Sequence, residues 1–223
     1  MNAAYRLVVF DCDGTLVDSQ HLVVEGVRRA FRNLGLVPPA PAAVRRIVGL
    51  SLAEAVAALH PDGGADENAT LVRKVRAELA ESRRSPGNDS ALYSGAAEAI
   101  ETLGEAGFLL GVATGMSRRG LHATLDRFGL RDRFVTLQSA DDAPSKPHPG
   151  MLRNAMAEAG VGPGETVVVG DTTYDIAMAV NAGVAAIGVS WGYHGADELR
   201  PAGAGLVVET FAELTRAIVG PRP

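Results

Sequence analysis

Cysteine is nearly missing: Cys12 is the only one in 223 residues. A single thiol excludes an intrachain disulfide and fits a reducing compartment. Long hydrophobic runs are missing as well. The opening stretch MNAAYRLVVFDCDG stays apolar for only a few residues before carboxylates interrupt it. That excludes a signal peptide or a membrane span there and predicts a soluble, cytoplasmic protein. Nor is there a basic stripe. The 21 Lys and Arg are dispersed among 26 Asp and Glu, for a net charge of -5, so no nucleic-acid partner is expected. The pairs Arg28-Arg29 and Arg45-Arg46 are too short to change that. Internal repeats, low-complexity tracts, heptads and interface stripes are likewise absent, and a monomer or weak homodimer is expected. What the chain does have is 47% hydrophobic residues. That is enough for a core, and the length suits one large domain or a domain with a smaller insert.

Short β-branched runs alternate with longer helical patterns. Strands are predicted at 6–10, 108–113, 134–138, 165–170, 185–190 and 206–208. Their apolar residues run continuously, as in parallel strands buried on both faces. Between them, Ser94 and Ser117 are candidate helix caps, with Gly107 and Gly129 as stops. The rhythm is that of a doubly wound α/β parallel sheet. From about Asp18 to Ala91 it breaks. Val23, Val27, Ala30, Phe31 and Leu34 recur at helical spacing, then Leu71, Val75 and Leu79. Pro/Gly patches at 37–41 and 60–64 separate these helices, and a polar link at 83–89 leads back. The predicted division is an α/β core of residues 1–17 and 91–223 with an all-helical insert at 18–90.

Two acidic pairs follow strands. Open α/β sheets bind ligands beyond the carboxyl ends of their strands, and Asp11-Cys12-Asp13-Gly14-Thr15 stands there after the first. Residues two apart on an extended chain project to one side, so Asp11 and Asp13 can face one site while Cys12 points into the sheet. Side by side, one carboxylate can serve as nucleophile and the other as proton donor. An ordinary Asp-Gly turn explains Asp13-Gly14 but leaves Asp11 without a reason. After the strand at 166–169, Asp171 and Asp175 are four apart at a predicted helix start. Acids there are favourable for any helix, but a second pair matching the first points to a metal. Two like charges about 4 Å apart repel by roughly 4 kcal/mol at an effective dielectric near 20. Three converging carboxylates therefore require protons or a cation, and oxygen ligands without a Cys/His cluster suit a hard ion, Mg2+.

Thr114-Gly115 ends another strand, offering a hydroxyl and an approachable backbone N–H just before a helix N-terminus that attracts anions. Lys146 stands in SKPHPGM ahead of a helix that Pro147 or Pro149 can start. Either residue alone reads as solvated surface. Both become phosphate-binding candidates because the strand ends should converge on the carboxylates.

DCDGTLVDS (11–19), ATG (113–115), KPHP (146–149) and GDTTYD (170–175) together resemble the haloacid dehalogenase superfamily, across essentially the whole chain. GLS (49–51) and GVSWGY (188–193) resemble its phosphoglycolate phosphatase group more narrowly. The resemblance implies a Rossmann-like core with a helical cap inserted between the first two motifs. It implies hydrolysis of a small phosphorylated metabolite through an aspartyl-phosphate on Asp11, phosphoglycolate being the leading substrate. Asp13 becomes acid and base, and Thr114, Gly115 and Lys146 hold the phosphoryl group. Asp11, the Asp13 main-chain carbonyl and Asp171 ligate Mg2+, with Asp175 in support. Pyrophosphatase or sugar-phosphate mutase chemistry are the alternatives within the superfamily. A non-turnover phospho-acceptor switch is the alternative outside it. Dehalogenation is disfavoured, since it does not depend on a second acid or a magnesium cluster.

Arg45 and Arg46 are the insert's candidates for reading an anionic substrate, against a solvated helix face. His21, where the chain enters the insert, is a candidate for the site mouth. His148 reads as a loop residue, and Trp191 and Tyr193 as packing or rim residues.

Overall fold

Six short strands build one parallel sheet in the computed structural model, which describes residues 5–85 and 90–220. They are β1 (Leu7–Phe10), β4 (Leu109–Ala113), β5 (Thr136–Gln138), β6 (Thr166–Gly170), β7 (Ala185–Val189) and β8 (Leu206–Val208), in the order β5-β4-β1-β6-β7-β8. The central strand, β1, pairs Phe10 with Val112 on one side and with Val169 on the other. All four β1 residues are buried, the reason for the continuous apolar runs.

Alternation along those strands feeds two cores. Val8, Phe10, Val112, Val167 and Val169 face α5 (Ala96–Glu105), α6 (Arg118–Arg127) and α10 (Phe211–Val219). Leu7, Val9 and Val168 face α7 (Gly150–Ala159), α8 (Thr173–Ala182) and α9 (Ala196–Leu199). Helices on both faces leave only the ends of the sheet open to a ligand.

The predicted strands hold, trimmed at their ends. Ser117 caps α6, accepting the Gly120 N–H. Ser94 does not cap α5; Gly95 occupies that position at φ +85°, a conformation glycine takes without strain. Between β1 and β4 a two-residue antiparallel pair, β2 (Val17–Asp18) with β3 (Ala91–Leu92), flanks the helical stretch. Sequence reasoning missed it because two residues carry no periodicity. From there rise α1 (Gln20–Asn33), α2 (Pro41–Arg46), α3 (Leu52–Leu59) and α4 (Ala65–Arg84). Val23, Val27, Phe31, Val44, Val56, Leu71 and Val75 form their own apolar cluster. Of the polar link expected at 83–89, residues 86–89 lie outside the described residues. Among the described residues, no helix is long and apolar enough to cross a membrane.

Candidate active site

Asp11 is the first residue beyond β1, its N–H donating to the Val169 carbonyl at 2.9 Å. The strand pairing therefore fixes its position, and its side chain is buried. Lys146 arrives from the loop between β5 and α7, fully buried, and donates from Nζ to Asp11 Oδ1 at 2.6 Å and to Asp175 Oδ1 at 2.5 Å. Asp175 belongs to the first turn of α8. Its Oδ2 accepts the Thr172 N–H at 3.1 Å and the Thr172 hydroxyl at 2.6 Å. This reciprocal cap locks the carboxylate in place. Asp171, one residue past β6, accepts the Thr15 hydroxyl and the Tyr193 N–H, both at 2.8 Å.

Oxygens of Asp11, Asp171 and Asp175 lie within 4.8 Å of one another, all buried. Lys146 offsets one of their three charges and leaves two. Burial, with the charges of Asp175 and Asp171 against the opposing pull of Lys146, pushes the Asp11 carboxyl well above the usual carboxylate range. Burial and Asp175 raise Asp171 to about 7. Burial works against the Lys146 ammonium, but the two aspartates outweigh it and Lys146 stays charged. A buried, oxygen-only set with surplus negative charge can hold a hard divalent cation.

Asp13 takes a different place. Its carboxylate is outside the three-acid group, accepting the Ser19 hydroxyl at 2.6 Å with Arg83 3.9 Å away. Asp11 and Asp13 both line a cavity of about 240 Å³, together with Thr114 and Gly115. Thr114 Oγ1 accepts the Met116 N–H at 3.3 Å; the hydroxyl proton is left to donate. The roof of the cavity is apolar and comes from the helical stretch, including Val23, Val48, Val56 and Leu79. A Cβ on Gly115 would stand 2.3 Å from the Leu50 carbonyl oxygen. Only glycine lets the Gly49–Ser51 loop approach so closely. Ser51 N–H donating to Ser145 Oγ at 2.7 Å and Tyr174 Oη donating to the Arg46 carbonyl at 3.1 Å hold the same contact.

The structure thus brings Asp11, Asp13, Thr114, Gly115, Lys146, Asp171 and Asp175 to one end of the sheet. It does not bring Arg45, Arg46 or His21 to the cavity wall. Arg46 pairs with Glu198 across to the core, and His21 is exposed at the start of α1. The arginines that do line the wall are Arg76 and Arg83. Sequence reasoning passed over them, although Arg76 and Arg83 are seven apart on α4 and so share one side of it. It passed over Thr15, Ser19 and Thr172 too, whose hydroxyls orient the acids; Thr15 and Ser19 lie inside the first motif. Cys12 is buried in the core as expected, and burial raises its thiol pKa well above the ordinary value. His148 Nδ1 accepts the Gly150 N–H within its own loop. Trp191 donates to the Thr15 carbonyl at 3.0 Å and stacks near Phe211.

Residues 8–189 match the model of the haloacid dehalogenase-like hydrolases. A protein named "Probable phosphatase IndB" from Dickeya dadantii is 37% identical over 213 residues, 95% of this chain and 92% of that one. A phosphoglycolate phosphatase of Rhodospirillum rubrum is 33% identical over 225 residues, covering 98% and 92%. Among solved structures, a hydrolase from Pseudomonas syringae superposes with a TM-score of 0.85 at 24% identity, over 95% of this chain and 96% of that one. That last likeness is one of fold.

Proposed function

The chain belongs to the haloacid dehalogenase-like hydrolases, and within that family we propose a magnesium-dependent phosphatase of small phosphorylated metabolites, with phosphoglycolate the leading substrate. The observation that carries this reading is the Lys146 ammonium held between Asp11 and Asp175 beneath a cavity that Asp13 and Thr114 also line.

Asp11 attacks phosphorus; the bond to the leaving oxygen breaks as Asp13 supplies its proton. Asp13, now a carboxylate, takes a proton from water. The resulting hydroxide attacks the phosphorus of the aspartyl-phosphate, the bond to Asp11 breaks, and inorganic phosphate leaves. Lys146, the Thr114 hydroxyl and the Gly115 N–H hold the phosphoryl oxygens, because phosphoryl transfer depends on positioning and charge stabilisation. Ser19 and Arg83 orient Asp13. Asp11, Asp171 and the Asp13 main-chain carbonyl would hold Mg2+, with Asp175 behind them, and the bound ion neutralises charge gathered on the transferring group. Residues 18–90 act as the cap, whose apolar roof excludes water from the reacting groups.

Phosphate release from a panel of phosphomonoesters, with Mg2+ or EDTA, tests the reading. Mg2+-dependent turnover concentrated on one compound supports it; no release from any member by folded protein contradicts it.

A further inference from the structure

The cavity above Asp11 has a continuation. A groove of about 760 Å³ opens between α4 and α6 and shares Arg76, Arg83, Ser117 and Asp141 with the first cavity. Six arginines line it: Arg73, Arg76, Arg83 and Arg84 from α4, and Arg119 and Arg127 from α6. Among the described residues Asp141 is the one acid on its wall, and its Oδ2 already accepts the Arg118 N–H at 2.8 Å.

This concentration runs against the rest of the molecule, which is acidic overall. Elsewhere exposed arginines either meet carboxylates, as in Arg6–Glu165, Arg32–Glu25, Arg46–Glu198 and Arg131–Asp126, or stand outside any such cluster, as Arg133 and Arg200 do. Arg76, Arg84 and Arg119 have no carboxylate partner among the described residues, and Arg73 donates to the neutral Thr70 hydroxyl. A solvated helix face accounts for arginines on α4 alone. It does not account for α6 bringing Arg119 to the same wall from another part of the chain, beside Arg127, which donates to Ser90 Oγ at 2.9 Å. Cations gathered from two elements repel, and a local conflict of this kind marks a site that something else compensates.

Continuity with the reacting groups says where the compensating anion comes from. Arg83 stands 3.9 Å from Asp13 Oδ2, where the leaving group of a phosphomonoester must lie. From there the arginines run along α4, and Arg73 to Arg84 spans roughly 16 Å at the helical rise. We infer that the groove binds a second anionic group carried on the substrate's leaving group. The substrate class is then a phosphomonoester whose leaving group bears its own carboxylate or phosphate. Phosphoglycolate is its shortest member, and a sugar bisphosphate reaches farther along the groove. The inference rests on the phosphatase reading above.

The test compares kcat/KM for phosphate release within matched pairs that differ in the second anion. Suitable pairs are 2-phosphoglycolate against ethyl phosphate, 3-phosphoglycerate against glycerol 3-phosphate, and glucose 1,6-bisphosphate against glucose 1-phosphate. The second anion is expected to raise kcat/KM about tenfold or more, the worth of one charge-assisted contact, and salt should shrink the preference. The double variant Arg76→Ala/Arg119→Ala should lose about tenfold of that preference. Arg153→Ala, exposed on α7 away from the groove, should keep it. Equal kcat/KM within the pairs, or a preference that survives the double variant, overturns the groove assignment and leaves the phosphatase reading standing. No release from any member by folded, Mg2+-supplied protein overturns both.

Discussion

The Lys146 ammonium lies 2.6 Å from Asp11 Oδ1 across 135 positions of sequence, and the same nitrogen reaches Asp175 Oδ1 at 2.5 Å. With all three side chains out of solvent, this contact ties the loop after β5 to the end of β1 and the first turn of α8. Lys146→Met removes the cation and leaves two carboxylates buried without it. Breaking a buried pair from one side costs about 3–5 kcal/mol, so denaturant unfolding should show a loss of that order and phosphate release should collapse. Stability within about 0.5 kcal/mol of the parent, the ordinary scatter of surface changes, would contradict the placement of Lys146 as a charged bridge.

Asp13 has a separable role. Asp13→Ala, given a substrate with a good leaving group such as p-nitrophenyl phosphate, still allows attack by Asp11 but leaves water without its base. Turnover should fall by about 10²–10⁴-fold, and intact-mass measurement should find one phosphoryl group held on the protein. Normal turnover with unmodified protein would return Asp13 to a turn residue.

The approach of the Gly49–Ser51 loop to Gly115 has a simple probe. Gly115→Ala places a methyl 2.3 Å from the Leu50 carbonyl oxygen and 2.8 Å from that of Gly49, and the loop must withdraw. Misplacement on this scale costs on the order of 10²-fold in rate. Because the loop moves and the sheet does not, Tm should change little. A large drop in Tm with unchanged kcat/KM would assign the contact to stability alone.

Without metal, Asp171 sets a pH dependence of stability. Burial and the Asp175 charge raise its folded-state pKa to about 7 from an ordinary 3.8. The folded state then holds a proton that the unfolded state releases, so its contribution to stability falls as pH rises between those two values. In EDTA, unfolding free energy should decline across that window. Mg2+, binding the folded state, should raise stability most at the upper end. Equal stabilisation by Mg2+ at pH 4 and pH 7 would argue against Asp171 as a ligand.

Much of this was legible in residue order. Continuous apolar runs identified the parallel strands because both sheet faces are covered, and three of them, β1, β4 and β6, ended where Asp11, Thr114 and Asp171 began. Asp11, Thr114 and Asp171 could be named because strand ends converge in such sheets. Lys146 was harder, since it stands on a loop and only its buried contacts distinguish it from solvated surface. The insert's arginines were not legible. Arg45 and Arg46 were conspicuous as a pair beside a glycine loop, yet Arg46 turns to Glu198, while Arg76 and Arg83 face the cavity. Which side of a helix meets the core depends on how the insert docks, and that contact is nonlocal. Thr15 escaped for a related reason: its hydroxyl orients Asp171 only because that carboxylate arrives from 156 positions away, while Ser19 turns back to Asp13 across a local bend that no periodicity announces.

The most direct measurement of the central claim is phosphate release by the parent protein and by Asp11→Asn, each with Mg2+ and with EDTA, on the best substrate of the panel. Mg2+-dependent release by the parent is predicted, with a loss of more than about 10³-fold in a folded Asp11→Asn variant, as for the removal of a nucleophile. Substantial release by Asp11→Asn, or release from the parent unaffected by EDTA, would contradict a metal-assisted aspartyl-phosphate on Asp11.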